Sequence, residues 1–159
     1  MEATMTNINI LDYSPELKEH FTKLNMEWLT QFKSNTVHQA QVENPQEHII
    51  DKGGFIFFAE MDNAIVGTTA LLRENNKRYE IANMAVTPPY QGKHIGKALL
   101  QKAIDKAKQL GAKQVYLISS TLLKTSLELY RALGFREMPC DPEMSIYDGS
   151  DVKMVLNLK

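Results

Sequence analysis

The chain of 159 residues has 18 lysines and arginines against 19 aspartates and glutamates, which gives a formal net charge of −1. This balance offers no electrostatic basis for binding nucleic acid or an anionic membrane surface. The length fits one domain with a sizeable core, so we expect a single domain over residues 1–159. The single cysteine, Cys140, excludes an internal disulfide. With no basic-then-apolar leader and no apolar run approaching about 18 residues, a cytoplasmic protein is expected.

The N-terminal region predicts a strand followed by a helix. Residues Asn7–Tyr13 alternate in polarity, as a half-buried strand does. Ser14 and Pro15 then form a helix start, and an apolar stripe continues at three- and four-residue spacing to about Gln31. We expect the aromatic residues of this stripe to be core. The stripe consists of Leu17, Phe21, Leu24, Trp28 and Phe32.

The next region predicts a polar connection, a short helix and a hairpin. Residues Lys33–Asn44 are polar and irregular, and Pro45–Lys52 has a proline near the start of a helical pattern. Gly53-Gly54 ends that helix. Two apolar runs flank an Asp62-Asn63 turn, which is typical of a hairpin. The runs are Phe55–Glu60 and Ile65–Arg73.

The centre of the chain combines a strand, a glycine-containing turn and a helix. The strand is Tyr79–Val86, the turn is Tyr90–Gly96, and the helix continues to Leu110 with Gly111 at the C-cap. The first N–H groups of a helix have no partner, and the positive end of the helix dipole lies there. This arrangement favours a bound phosphate, although glycines that merely serve a tight turn are the alternative.

The same segment resembles motif A of the GNAT N-acetyltransferases, usually written Q/R-x-x-G-x-G/A, in which the turn wraps the pyrophosphate of acyl-coenzyme A. The sequence Gln-Gly-Lys-His-Ile-Gly-Lys follows the strand, and His94 stands where the first glycine of the G-x-G pair is expected. The His94 backbone N–H can still donate a hydrogen bond to the pyrophosphate. The resemblance implies that acetyl-coenzyme A is the acyl donor. The cofactor-binding residues that it implies are Met84, Ala85, Val86, Gln91, Gly92, Lys93, His94, Ile95, Gly96 and Lys97.

The remaining elements predict an α/β fold. A buried strand is followed by a helix that Gly134 ends, and two further strands flank a loop, Pro139–Asp151. The order βααβββαβαββ implies a mixed sheet with helices on both faces. It matches the GNAT fold, a largely antiparallel twisted sheet, across nearly the whole chain. The predicted elements here are the strands Gln114–Ser119, Phe135–Met138 and Val152–Leu158 and the helix Thr125–Leu133.

The segment from Leu123 to Phe135 is similar to motif B of the same family, in which a helix ends Tyr-x-x-x-Gly-Phe. The resemblance implies that Tyr130 donates a proton to the departing thiolate. Ser126 is an acceptable small residue four positions before the tyrosine, but Leu123 replaces the asparagine often found seven before it. A tyrosine that only packs with Leu127 on an amphipathic helix is the alternative.

Glu80 lies four residues before Met84 on the central strand. In the histone-acetylating branch of the family, the general base is a glutamate at this offset. Alternation would place Glu80 on the face of Met84 and Val86 only if no bulge intervenes. The alternative is a strand glutamate that faces solvent.

Acyl transfer to an amine explains why these residue types are needed. An alkylammonium with a pKa of about 10.4 must lose a proton before it attacks a thioester. The leaving thiolate, whose thiol has a pKa of about 8.5, benefits from a phenol that donates a proton. The oxyanion that forms needs a hydrogen-bond donor. A backbone N–H of Met84–Val86 is the candidate donor. Cys140 has no local base, so direct attack is favoured over an acyl-cysteine. His38 and His48 lack a metal-ligand pattern, and no metal is expected.

Three functions follow: an acetyl-coenzyme A-dependent N-acetyltransferase acting on a small-molecule or peptide amine, an acyl-coenzyme A-binding module with little turnover, and an interaction domain without cofactor. A homodimer is left open. The resemblance places the acceptor cleft at Gln31–Asn44 and Pro139–Asp151. Acidic residues there could attract a cationic amine, although solvated surface acids are the alternative. They are Glu43, Asp141, Glu143, Asp148 and Asp151.

Overall fold

The computed structural model describes residues 7–32, 39–120, 123–139 and 152–158. Its strands are β1 (Asn9–Asp12), β2 (Phe55–Met61), β3 (Ala64–Asn75), β4 (Arg78–Val86), β5 (Gln114–Ser119), β6 (Arg136–Met138) and β7 (Val152–Asn157). Its α-helices are α1 (Lys18–Phe32), α2 (Gln39–Glu43), α3 (Ile95–Gln109) and α4 (Lys124–Ala132). Short 3-10 turns cover Pro15–Leu17 and Pro88–Tyr90, and a π-helical turn covers Gln46–Ile50.

The strands form one sheet in the order β1-β2-β3-β4-β5-β7-β6. Every neighbouring pair is antiparallel except β4 and β5, which are parallel and connected through α3. The predicted mixed, largely antiparallel sheet is therefore confirmed.

The two faces of the sheet carry separate apolar clusters, as β3 shows. Leu71 packs into the cluster that contains Leu99 of α3, whereas Ala70 packs with Phe21 of α1. Because successive side chains of a strand point to opposite faces, α1 and α3 cover opposite faces of the sheet. The prediction of helices on both faces is confirmed.

Helix α2 lies inside the stretch predicted to be irregular, so that prediction was wrong there. Five residues are too few for a helix to be stable alone. The Thr22 hydroxyl donates a 2.7 Å hydrogen bond to the Val42 carbonyl, and Val42 is buried. A tertiary contact with α1 thus holds α2, and local sequence gave no sign of it. In the predicted loop Pro139–Asp151, only Pro139 lies within the described residues.

Two predicted turns are confirmed by their backbone conformations. Asp62 and Asn63 have φ values of 54° and 62°, which are the left-handed conformations of a type I′ hairpin turn. Gly111 follows α3 with φ 81°, and the Ala112 N–H donates to the Ala107 carbonyl at 3.0 Å. These features end the helix in a glycine C-cap. The C-terminal end of α3 is thereby fixed, as is the path into β5.

Candidate active site

The segment Gln91–Lys97, called the α3 turn below, lies between the 3-10 turn Pro88–Tyr90 and the body of α3 and includes the first residues of that helix. The Gln91 side-chain amide donates to the Val86 carbonyl at 2.9 Å and ties the turn to the end of the strand. Gly92 has φ 83° and His94 has φ 67°. His94 therefore adopts a left-handed conformation, which glycine takes without strain and which histidine tolerates better than most residues.

The first N–H groups of α3 are available to a ligand. The Ala98 N–H donates to the His94 carbonyl at 3.2 Å, and this is the first bond of the helix. The N–H groups of Ile95, Gly96 and Lys97 precede it and have no partner within the helix. The His94 N-cap position has no side-chain cap hydrogen bond within the described part of the chain. The helix dipole adds positive potential at this end, so an anion such as a phosphate fits here.

Packing within the protein does not explain the two glycines of the turn. Among the described residues, a Cβ added at Gly92 would meet no atom within 4 Å, and one added at Gly96 would meet only the Met84 sulfur at 3.6 Å. This is ordinary contact, so the fold tolerates a side chain at Gly96. The clearance therefore suits a ligand that approaches the backbone closely.

The predicted cofactor residues differ in how far their side chains are exposed. Gly92, Lys93, His94 and Lys97 are exposed, whereas Ile95 is buried in the core. On β4, Met84 and Val86 are half-buried and pack against the α3-side core, and Ala85 is buried. An Ile95 side chain in the core has no access to a ligand, so only its N–H can take part.

A β-bulge interrupts β4 at Asn83. Ala82 pairs with Ala70, but the next recorded pair is Ala85 with Thr68, so β4 has one residue more than β3 between them. Asn83 takes a left-handed φ of 55°. The extra residue reverses the alternation, which places Met84 with the α3-side cluster. The condition for Glu80 to share the face of Met84 and Val86 is therefore not met.

Strands β4 and β5 stay paired over three residues only. Their register ends at Glu80 and Tyr116, although β4 continues to Val86 and β5 to Ser119. Within the described ranges, the edge of β4 that faces β5 pairs with no strand beyond Glu80, so its backbone groups there are not used by the sheet. The Asn83 side-chain oxygen is buried with no hydrogen-bond partner in the described structure. An unsatisfied acceptor of this kind fits a ligand that brings a donor.

Glu80 is half-buried and lies in a cluster with Glu74, Arg78 and Tyr116, called the Glu80 cluster below. The Tyr116 hydroxyl is 3.4 Å from Glu80 Oε1 and 3.0 Å from Glu74 Oε1. Burial raises the pKa of Glu80 to about 7, with a further rise from the Glu74 charge, while the Tyr116 hydrogen bond and Arg78 oppose it. A carboxyl with this pKa exchanges protons near neutral pH.

Tyr130 lies near the end of α4 and is half-buried. Its ring centroid is 6.0 Å from that of Phe135, with the rings tilted by 59°. Burial raises the pKa of the Tyr130 phenol, and a hydrogen bond with Ser126 opposes that rise. The phenol is therefore protonated at neutral pH and can donate a proton. Its aromatic packing also agrees with a structural role.

A groove of about 490 Å³ lies between α1 and the segment that follows β4. It is lined by Lys23, Met26, Glu27, Thr30 and Pro88. Of the acidic residues predicted near the acceptor cleft, Glu43 is exposed and the other four lie outside the described residues.

No group of three or more metal-ligating side chains occurs in the described ranges. No helix in those ranges is long and apolar enough to cross a membrane.

Sequence reasoning missed Asn83, Tyr116 and Glu74. An asparagine in the middle of this strand was a usable signal, because asparagine is depleted in strands and tolerates positive φ. No comparable signal marked Tyr116, since its place beside Glu80 depends on the register of two strands that lie far apart in sequence.

Comparison with known proteins agrees with this geometry. The profile of the Acetyltransferase (GNAT) family matches residues 22–135. The uncharacterized N-acetyltransferase YvbK of Bacillus subtilis is 33% identical over 101 residues, which cover 62% of this chain and 65% of that protein. The chain spans 50 to 65% of the length of the first curated relatives that it matches.

Solved structures show the same fold over nearly the whole chain. A GNAT family acetyltransferase from Staphylococcus aureus Mu50 superposes with a TM-score of 0.82 at 27% identity, covering 96% of this chain and 99% of that one. A GNAT family acetyltransferase from Elizabethkingia anophelis, solved with acetyl-CoA bound, has a TM-score of 0.69 at 20% identity and covers 96% and 99%.

In this α/β protein, a parallel strand pair separates beside a helix N-terminus that has no side-chain cap within the described residues. The matched profile covers well over half of the sequence. This chain belongs to the GNAT acetyltransferase family.

Proposed function

We propose that this protein transfers an acetyl group from acetyl-coenzyme A to a primary amine by direct attack, with Glu80 as the base and Tyr130 as the acid. The observation that carries the proposal is a half-buried carboxyl, with a pKa raised to about 7, where β4 and β5 separate. The strand that bears it continues through the 3-10 turn Pro88–Tyr90 into the α3 turn. Family membership and the acetyl-CoA-bound relative from Elizabethkingia support the choice of acyl donor.

The α3 turn would hold the pyrophosphate of the donor through the N–H groups of Ile95, Gly96 and Lys97. These groups lie at the positive end of the helix dipole, and the absence of a Cβ at Gly96 lets the backbone approach phosphate oxygens. When bound, acetyl-coenzyme A supplies a thioester whose acetyl group is open to attack by an amine. The unpaired edge of β4 beyond Glu80 would supply an N–H, from Met84–Val86, to the oxyanion that develops.

Glu80 would accept the proton that the ammonium must lose before attack. A base works best when its pKa lies near the working pH, and burial brings the pKa of Glu80 to about 7. Because a bulge separates Glu80 from the face of Met84, we propose that the proton reaches the carboxylate through a water. Tyr130 would then protonate the leaving thiolate, since its raised pKa keeps the phenol neutral.

The groove beside Pro88 supports the binding of an amine at this side of the sheet. Met26 and Pro88 give it apolar surface, while Glu27 brings a carboxylate that also lies 3.5 Å from the Thr87 hydroxyl. We propose that the acceptor is a small-molecule or peptide amine with an apolar portion next to the ammonium group.

An acyl-coenzyme A-binding protein with little turnover is the second candidate, favoured by Leu123 at a position where the family often has asparagine. Release of free thiol from acetyl-coenzyme A, measured with a panel of primary amines, separates the two. We expect amine-dependent release for at least one amine in the panel. Stabilisation of the fold by coenzyme A without amine-dependent release would favour the binding protein. If coenzyme A does not stabilise the fold and no amine causes thiol release, both candidate functions are contradicted.

A further inference from the structure

The Tyr116 hydroxyl lies between two carboxylates. It is 3.0 Å from Glu74 Oε1 and 3.4 Å from Glu80 Oε1. A phenol has one proton, so it can donate to only one carboxylate at a time. When Glu80 is protonated, its hydroxyl can donate to the Tyr116 oxygen while Tyr116 donates to Glu74. The three groups then form a continuous, directed chain of hydrogen bonds.

Two cations lie close to the Tyr116 ring. The Arg78 guanidinium lies 4.1 Å from the ring centroid, and the Lys153 ammonium lies 5.4 Å from it. Arg78 also donates to both carboxylate oxygens of Glu74, at 3.0 and 3.2 Å, and its Nε donates to Gln114 at 2.7 Å. Arg78 therefore fixes both the tyrosine and the distal carboxylate.

The two carboxylates differ in their contact with water. Glu80 is half-buried, whereas the Glu74 side chain is 40% exposed. A proton that reaches Glu74 can pass to solvent directly. We propose that Tyr116 and Glu74 are positioning residues for Glu80 and relay its proton to solvent. This inference rests on the proposed function, in which Glu80 accepts the proton of the amine.

The proton balance of the relay is complete. Protonated Glu80 gives its proton to the Tyr116 oxygen as Tyr116 gives its own proton to Glu74, and Glu74 releases that proton to water. Glu80 returns to the carboxylate form, and the tyrosine remains a neutral phenol throughout. A concerted transfer is needed because burial raises the pKa of the Tyr116 phenol, which disfavours a phenolate. Rotation of the Tyr116 hydroxyl then resets the chain.

The two relay residues have opposite effects on the pKa of Glu80, so their removal should shift the pH dependence of the reaction in opposite directions. Glu74 of β3 raises the pKa of Glu80, and Tyr116 of β5 and Arg78 of β4 lower it. Lys153 of β7 faces the cluster over the tyrosine ring. Helix α1, which also packs on β4, adds no charge to this set within the described residues.

The test compares Tyr116→Phe and Glu74→Gln with the wild type, by kcat and KM across pH at low and high concentrations of a phosphate buffer. We expect kcat at low buffer to fall about tenfold in both variants, with KM for the amine unchanged and with recovery at high buffer, because the buffer takes the proton from Glu80. The acidic limb of the profile should move to higher pH in Tyr116→Phe and to lower pH in Glu74→Gln.

Two matched controls delete the same groups elsewhere. Tyr79→Phe removes the hydroxyl of Tyr79, which precedes Glu80 in β4 but packs on the α3 face of the sheet. Glu60→Gln neutralises a carboxylate on β2. Both variants should keep the acidic limb of the wild-type pH profile, and their kcat should not depend on the buffer concentration. A purely structural role for Tyr116 would lower kcat without recovery in buffer.

Wild-type kcat in both relay variants at low buffer would overturn the relay, and so would a loss that buffer does not restore. If the wild type releases no thiol with any amine, the proposed function fails as well. If it turns over and Glu80→Gln loses the acidic limb while both relay variants behave as wild type, the relay alone is wrong.

Discussion

The α3 turn and the Glu80 cluster are assembled in opposite ways. The turn is a run of seven consecutive residues that offers backbone N–H groups, and its side chains are largely exposed. The Glu80 cluster joins side chains from three strands, and its two closest hydroxyl–carboxylate contacts span 36 and 42 residues of sequence. One region is encoded locally, and the other exists only once the sheet has formed.

Because of this difference, the two regions should respond differently to amino-acid substitutions. In the proposed function the turn would bind through groups that every non-proline residue carries, so a substitution there would act by adding bulk or by changing φ. The proposed role of the cluster depends on particular side chains whose pKa values are set by burial and by each other, so removal of a single oxygen would alter its chemistry. The predictions below disturb one region while leaving the other in place.

Gly96→Val should have the largest effect. Acetyl-coenzyme A is expected to bind the wild type with micromolar affinity, on the order of −8 kcal/mol. Added methyl groups at Gly96 would crowd the pyrophosphate, so we expect binding to be lost in isothermal titration. Because a Cβ at Gly96 is in ordinary contact with the Met84 sulfur at 3.6 Å, the variant should fold, as circular dichroism would verify. Unchanged affinity in a folded variant would contradict the assignment of the turn.

Tyr130→Phe should lower kcat by about 10²-fold, because the leaving thiolate loses its proton donor. The affinity for acetyl-coenzyme A should change little, since the phenyl ring still packs on Phe135. Ser126→Ala is the matched control, which removes the hydrogen-bond partner but keeps the phenol. Wild-type kcat in Tyr130→Phe, under conditions where chemistry limits the rate, would show that Tyr130 is only a packing residue.

Glu80→Gln should change how stability depends on pH. The folded-state pKa of Glu80, about 7, lies above the ordinary value of 4.5, so folding favours the protonated form. Its contribution to the free energy of unfolding is therefore fully present below pH 4.5 and is lost as pH rises through 7. Glu80→Gln should remove this decline and be more stable than the wild type at pH 8, by up to about 3 kcal/mol. Urea denaturation at pH 5 and pH 8 measures the difference, and parallel pH profiles would contradict it.

His94→Gly should have the smallest effect on binding. His94 holds φ 67° without a side-chain cap, and glycine adopts that conformation without strain. We expect a gain in stability of about 1 kcal/mol and an affinity for acetyl-coenzyme A that is unchanged or slightly tighter. A large loss of affinity in titration would show that the imidazole itself contacts phosphate.

Much of the fold was predictable because its signals are local. Alternation and apolar runs identified the strands to within a few residues, and Gly111 marked the end of α3. Helix α2 was missed, since a buried Val42 and a bond from Thr22 hold it rather than its own propensity. The π-helical turn at Gln46–Ile50 was predicted only as a short helix, because its bonding pattern has no sequence signature.

The candidate site was predictable in part. The α3 turn could be identified from its glycines and their place between strand and helix. Whether Glu80 shares a face with Met84 could not be decided, because it depended on a bulge at Asn83. The roles of Tyr116 and Glu74 could not be predicted from the sequence. They depend on the pairing of β4 with β5 and on the contact of Glu74 in β3 with Tyr116, which exist only in the assembled sheet.

The most direct measurement of the central claim is the pH profile of kcat/KM for the wild type and Glu80→Gln with one amine of known pKa. We expect the wild-type rate to rise with pH through a limb near 7, set by Glu80, and through a second limb set by the amine itself. Glu80→Gln should lack the first limb, keep the second, and recover part of its activity at high pH, where free amine is abundant. The same two limbs in both proteins would show that Glu80 is not the base.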